Sequence, residues 1–79
     1  MTIALNLYST SHCHLCAEAE LLLQTLANSR HLQWLSIEIS EDPALLNLYE
    51  LKIPVLKRLD NNHEINWPFS LDDIANFIV

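Results

Sequence analysis

The chain has 79 residues, of which 51% are hydrophobic, so one small and efficiently packed core is the most that it can build. Four basic residues against ten acidic ones argue against a nucleic-acid binder, and no apolar run approaches the roughly 20 residues that span a membrane. Because the chain contains no glycine, phosphate-binding loops and dinucleotide-binding fingerprints are excluded. We expect one domain over residues 1–79 and, since the N-terminus lacks the pattern of a signal peptide, a cytoplasmic location.

The first half of the chain alternates between the period of a strand and the period of a helix. Apolar residues at every second position predict two strands. These residues are Ile3, Leu5, Leu7, Leu35, Ile37 and Ile39. Between the two strands, apolar residues recur at helical spacing from about residue 13 to residue 28, which predicts a helix that crosses from one strand to the next. The two strands should therefore be parallel.

A second helix is predicted after the second strand. Asp42 followed by Pro43 is typical of a helix start, with an N-cap and a proline at the first helical position. Apolar residues continue the pattern through about Leu51, and the Ile53-Pro54 pair then ends the helix. Residues 55–59 read as a third strand.

The last part of the chain predicts a hairpin and a final helix. Residues 60–62, Asp-Asn-Asn, form a turn in which asparagine can take the positive φ that glycine usually supplies, and residues 63–66 form a brief edge strand. Ser70 with Asp73 resembles a capping box that starts the last helix. The order β-α-β-α-β-β-α predicts an α/β fold, a mixed four-stranded sheet with helices on both faces.

Two cysteines lie where the first strand leads into the first helix, as Cys13-His14-Leu15-Cys16. A thiol at a helix N-terminus faces free N–H groups and the positive end of the helix dipole, so we expect the pKa of Cys13 to fall below the ~8.5 of a free cysteine. Cys16 lies one turn later, within disulfide distance and deeper along the helix. Cys13 is therefore the predicted nucleophile and Cys16 the resolving thiol.

Two histidines flank the predicted nucleophile, and their role stays open. An imidazolium at His12 or His14 would lower the pKa of Cys13 further, but both residues read equally well as exposed loop histidines. Either histidine could also join the cysteines as a zinc or copper(I) ligand. Because three consecutive residues cannot easily turn toward one ion, we assign no metal and no cofactor, and metal binding is kept as an alternative.

Together these features resemble the thioredoxin superfamily, and especially its short glutaredoxin-like proteins. The resemblance covers essentially the whole chain, including residues 52–55, Lys-Ile-Pro-Val, and residues 67–69, Trp-Pro-Phe. It implies that Pro54 is a cis-proline facing the redox pair and that the backbone of Ile53 pairs with an extended substrate. It also offers Trp67 as the rim of a substrate groove, although an aromatic residue in a small domain more often belongs to the core.

The chain departs from typical glutaredoxins at three points. His14-Leu15 replaces Pro-Tyr between the cysteines, no lysine shortly precedes Cys13, and no glycine pair lies near the last helix. We therefore expect poor use of glutathione.

The sequence predicts a monomeric thiol–disulfide oxidoreductase. Its substrate would be a disulfide-containing protein or a small thiol compound, and its electrons would come from thioredoxin reductase or glutathione. We expect no nucleic-acid or membrane partner. A metal-binding protein, or a thioredoxin-like binding module that retains the cysteines without turnover, remains the alternative.

Overall fold

The computed structural model describes residues 2–79 and contains four strands and three α-helices. The elements are β1 (Ile3–Ser9), α1 (His14–Ala27), β2 (Leu32–Glu38), a short 3-10 helix (Ile39–Glu41), α2 (Pro43–Tyr49), β3 (Val55–Arg58), β4 (Glu64–Asn66) and α3 (Leu71–Phe77). The strands form one sheet in the order β2-β1-β3-β4. β1 runs parallel to β2 and antiparallel to β3, and β4 runs antiparallel to β3. The predicted mixed four-stranded α/β fold is confirmed.

Alternating residues of β1 face opposite sides of the sheet and build two clusters. Leu5 and Leu7 pack with Leu56, α1 and α3 in the larger cluster, whereas Tyr8 and Val55 pack with the 3-10 helix and α2 in the smaller one. The helices therefore cover both faces, as the period-two pattern of β1 requires. No helix within residues 2–79 is long and apolar enough to cross a membrane.

Element ends differ from the predictions by a few residues. Ile39, which was expected to extend the second strand, lies in the 3-10 helix and is only 1% exposed. Ile39 is buried because it packs in the smaller cluster. A buried apolar residue at this position fits a strand and a 3-10 helix equally well, so the sequence pattern does not distinguish the two. α2 ends at Tyr49 instead of about Leu51, since the N–H groups of Lys52 and Ile53 both donate to the Tyr49 carbonyl and close the last turn.

The predicted local signals at the other turns are confirmed. Asn62 has a positive φ of 62° in the turn before β4. Ser70 and Asp73 form the expected capping box, in which each side chain accepts the backbone N–H of the other residue. β3 and β4 are each one residue shorter than predicted, because the turn takes up Leu59 and His63.

Candidate redox site

The cysteine pair lies at the end of the sheet where β1 leads into α1. Cys13 is the N-cap of α1, and its Sγ accepts the backbone N–H of Cys16 at 3.2 Å. The two residues form a disulfide with a Cα separation of 5.2 Å. Cys13 is half-buried, whereas Cys16 is only 5% exposed. The pair thus has one partly exposed cysteine, at a helix N-terminus that favours a thiolate, and one nearly buried cysteine.

Glu38, at the end of β2, fixes the loop that precedes Cys13. Its Oε1 accepts the N–H and the hydroxyl of Ser11 at 2.9 and 3.0 Å. Its Oε2 accepts the same two groups of Ser40 at 3.2 and 2.9 Å. Hydrogen bonding, with the largest contribution from the Thr10 hydroxyl and further ones from Ser40 and Ser11, lowers the pKa of Glu38 from 4.5 to about 2. Glu38 is therefore a charged residue whose hydrogen bonds connect the end of β2 to the loop that precedes Cys13.

Pro54 lies at the same end of the sheet as the cysteine loop. Tyr8 pairs with Val55, so the residue before β3 lies beside the end of β1. The Ile53–Pro54 peptide bond is cis, which confirms the prediction. Pro54 is buried and Ile53 is half-buried. The Pro54 carbonyl accepts the N–H of Trp67 at 3.0 Å, so the segment after β4 is tied to this loop.

Three more residues were proposed from the sequence as parts of the site: Trp67, His12 and His14. Trp67 is half-buried, packs against the larger core cluster and contacts Phe69 edge to face at 5.1 Å. Its peptide bond to Pro68 is also cis, which no sequence signal indicated. His12 and His14 are both exposed, and His12 has a positive φ of 59°.

A cavity of about 290 Å³ lies beside the disulfide, between α1 and β2. The residues that line it include Thr10, His12, Cys13, Cys16, Glu20 and Ser36. Sequence reasoning missed Glu20, although its position one helical turn after Cys16 was available as a signal. Ser36 and Glu38 carried no such signal, because only the pairing of β2 with β1 brings them to the site.

The alternative of a metal site can be compared with the placement of the possible ligands in the described residues. Within residues 2–79, no group of three or more His, Cys, Asp or Glu side chains is placed to hold a metal ion. The two cysteines are joined to each other instead.

The element order, the sheet topology and the cysteine pair at the start of α1 define a thioredoxin-like fold with C-x-x-C spacing. A family model described as "Glutaredoxin-like domain (DUF836)" matches residues 4–79, and the chain belongs to this family. It is therefore a glutaredoxin-like member of the thioredoxin superfamily.

Two solved structures are similar to this chain over nearly its whole length. The crystal structure of target protein XcR50 from X. campestris has 33% sequence identity and a TM-score of 0.80, and the match covers 92% of each chain. The solution NMR structure of protein Ne2328 from Nitrosomonas europaea has 25% identity and a TM-score of 0.87, and the match covers 100% of this chain and 94% of the other. No curated protein matches the chain.

Proposed function

We propose that the protein is a thiol–disulfide oxidoreductase that uses Cys13 as nucleophile and Cys16 as resolving thiol. The Cys13 thiolate attacks one sulfur of a substrate disulfide, forms a mixed disulfide and releases the first thiol. Cys16 then gives up its proton and attacks the Sγ of Cys13, which releases the second thiol and leaves the Cys13–Cys16 disulfide. Two electrons and two protons thus pass from the protein dithiol to the substrate.

The observation that carries this proposal is the unequal placement of the two sulfurs. Cys13 caps a helix of 14 residues and remains accessible, while Cys16 is 5% exposed and within bonding distance behind it. An accessible thiol with a stabilised thiolate suits attack, and a sheltered partner suits resolution. A pair of thiols without a redox role would not require this difference in exposure between its two members.

The substrate would dock over the loop that contains the cis-proline. Ile53 and Pro54 lie at the sheet end from which β1 leads to Cys13, so the backbone of Ile53 can pair with an extended peptide that carries the disulfide. Exposed His12 and His14 would contact the substrate beside Cys13. Trp67 would act indirectly, by holding the cis-proline loop in place, because its backbone N–H donates to the Pro54 carbonyl.

The cell must return the protein to its dithiol form after each cycle. Of the two candidate electron sources, thioredoxin reductase and glutathione, the net charge of −6 favours thioredoxin reductase over the anionic tripeptide. The cytoplasm, where thiols are kept reduced, is the compartment that suits this cycle. We propose that the protein acts there as a monomer.

The test is trapping of the intermediate with a model disulfide. In Cys16→Ser, Cys13 should accumulate as a mixed disulfide that mass spectrometry detects as one added substrate half. Cys13→Ser should form no such adduct on the same time scale, and the wild type should convert to the internal disulfide with release of two thiols. If the wild type releases no thiol, the proposal is wrong. Release of a stoichiometric metal ion on oxidation would instead identify a metal carrier.

A further inference from the structure

The cavity beside the disulfide is placed to contact a substrate during the reaction. Cys13 and Cys16 both form part of its wall, so a group bound there lies next to the reacting sulfurs. Its volume of about 290 Å³ is at the lower end of the range for ligand pockets, which suits a small compound or a single side chain. Its wall is formed by the first turns of α1, by the end of β1 with the loop that follows it, and by Ser36 of the edge strand β2.

The cavity carries one negative charge, at Glu20. Oε2 of Glu20 accepts the Ser36 hydroxyl at 3.0 Å and the indole N–H of Trp34 at 3.4 Å, so both bonds from β2 hold the carboxylate on this side of α1. Oε1 of Glu20 accepts neither of these two hydrogen bonds. None of the four basic residues of the chain lines the cavity. In the reduced protein the Cys13 thiolate adds a second negative charge to the wall, and this charge is present in the wild type and in Glu20→Gln alike.

We propose that this cavity selects disulfides that carry a positively charged group close to the sulfur. The inference rests on the proposed oxidoreductase function and names its substrate class. While Cys13 attacks one sulfur, an ammonium group a few bonds away occupies the cavity and pairs with Glu20. The carboxylate binds the substrate and takes no part in the exchange of electrons, which passes from the Cys13–Cys16 dithiol to the substrate as described above. Opposite charge attracts the substrate, and an anionic disulfide is repelled by the same group.

Three small disulfides of similar size separate this effect from reactivity in general. Cystamine carries two ammonium groups, hydroxyethyl disulfide is neutral, and dithiodiglycolate carries two carboxylates. The reduced protein is mixed with each at about pH 8, and the second-order rate of its oxidation is followed by alkylation and mass spectrometry. The measured quantity is the ratio of the cystamine rate to the hydroxyethyl disulfide rate, because the ratio cancels differences in folding and in thiol reactivity. We expect Glu20→Gln to lower this ratio about five-fold, the effect of one partly exposed ion pair.

Glu18→Gln is the matched control. Glu18 lies on the same helix, is exposed and does not line the cavity, and its replacement changes the net charge equally. The ratio should stay at its wild-type value in Glu18→Gln, and in the wild type it should fall at roughly 0.5 M NaCl, where ions screen the pair.

The other outcomes contradict the proposed role of the cavity in selecting substrates. An equal fall in both variants would assign the preference to overall charge, and a wild-type protein that does not prefer cystamine to dithiodiglycolate would also overturn the inference. In both cases the proposed oxidoreductase function would survive. If the reduced protein reacts with none of the three disulfides, the proposed function fails and this inference fails with it.

Discussion

Cys13 and Cys16 belong to the same turn of α1, but their surroundings differ. Cys13 caps the helix and its Sγ accepts the N–H of Cys16, whereas Cys16 is nearly buried. We therefore expect the thiol of Cys13, in Cys16→Ser, to react with iodoacetamide at lower pH than the thiol of Cys16 in Cys13→Ser. The pH dependence of alkylation measures this directly. In urea both thiols should approach the reactivity of a free cysteine, and equal rates near neutral pH in the folded variants would contradict the prediction.

Glu38 gives the cysteine loop a pH-dependent anchor. Its pKa lies at about 2 in the folded protein and at 4.5 ordinarily, so its contribution to the free energy of unfolding is present above about pH 4.5 and is lost as the pH falls toward 2. We expect Glu38→Gln to reduce stability near neutral pH and to flatten the stability profile between these two values. Denaturant unfolding at several pH values checks both effects.

The matched control for Glu38 is Glu18→Gln. The Glu18 carboxyl is exposed on α1 and accepts none of the hydrogen bonds from Ser11 and Ser40. If both variants change the pH profile alike, loss of net charge explains the effect and the anchor at Glu38 is not needed.

At the scale of the helices and strands, the sequence predicted features whose causes are local. The N-caps at Asp42 and Ser70 form as expected, since each accepts an N–H within three residues of itself. The helical spacing of the apolar residues placed Cys13 at the start of α1, where the structure has it as the N-cap. The hydrogen bonds from β2 to Glu20 and from Ser11 to Glu38 were not predicted, because they join residues 14 to 27 positions apart along the chain. Such pairs depend on strand register, which a single sequence does not specify at residue resolution.

Tyr49 shows how one side chain can join three elements. Its ring stacks on Tyr8 of β1 at 4.4 Å, and its hydroxyl donates to the Glu64 carboxylate of β4. Burial first, and then this hydrogen bond, raise the pKa of Tyr49 above its ordinary value of 10.0. The link holds α2 against the sheet at the level of the cis-proline loop.

We expect Tyr49→Phe to lower the free energy of unfolding by about 1 kcal/mol near neutral pH, since it removes one hydrogen bond and keeps the ring. Because the folded state holds the proton more tightly, the tyrosine stabilises the fold fully below pH 10.0 and loses that contribution as the pH rises further. Tyr49→Phe should therefore flatten the alkaline part of the stability profile, measured by denaturant unfolding. A double-mutant cycle with Glu64→Gln isolates the pair, and additive effects would contradict the link.

Over the whole molecule, the balance of charge limits which ligands can approach. The net charge is −6, and Arg58, one of four basic residues, is already bound to Asp60 and to the main-chain oxygens of Phe77 and Val79. It anchors the end of α3 to β3 and is only 7% exposed. This arrangement leaves few cations for an anionic substrate.

Glutathione is such a substrate, because it has two carboxylates and a net negative charge. The backbone N–H groups of Ser70 and Asp73, which begin the last helix, are already bonded within the capping box at 2.8 and 3.1 Å. Asp72 and Asp73 add negative charge in the same turn. No lysine shortly precedes Cys13, and no glycine allows the backbone to approach a tripeptide closely. A carboxylate at the start of the last helix therefore finds two of its N–H donors already bonded and two aspartates nearby, and few cations elsewhere in the chain offset this.

We expect glutathione to bind weakly to both the oxidised and the reduced protein, without saturation at low millimolar concentration. Titration followed by NMR shifts of the backbone amides measures this affinity. The ethyl ester of glutathione is the matched ligand, since it has one carboxylate fewer, and it should bind no more weakly than glutathione if charge repulsion sets the limit. Saturable binding of glutathione in the low millimolar range or below, or rapid turnover through a Cys13–glutathione adduct, would show that the capped helix and the acidic surface do not exclude it.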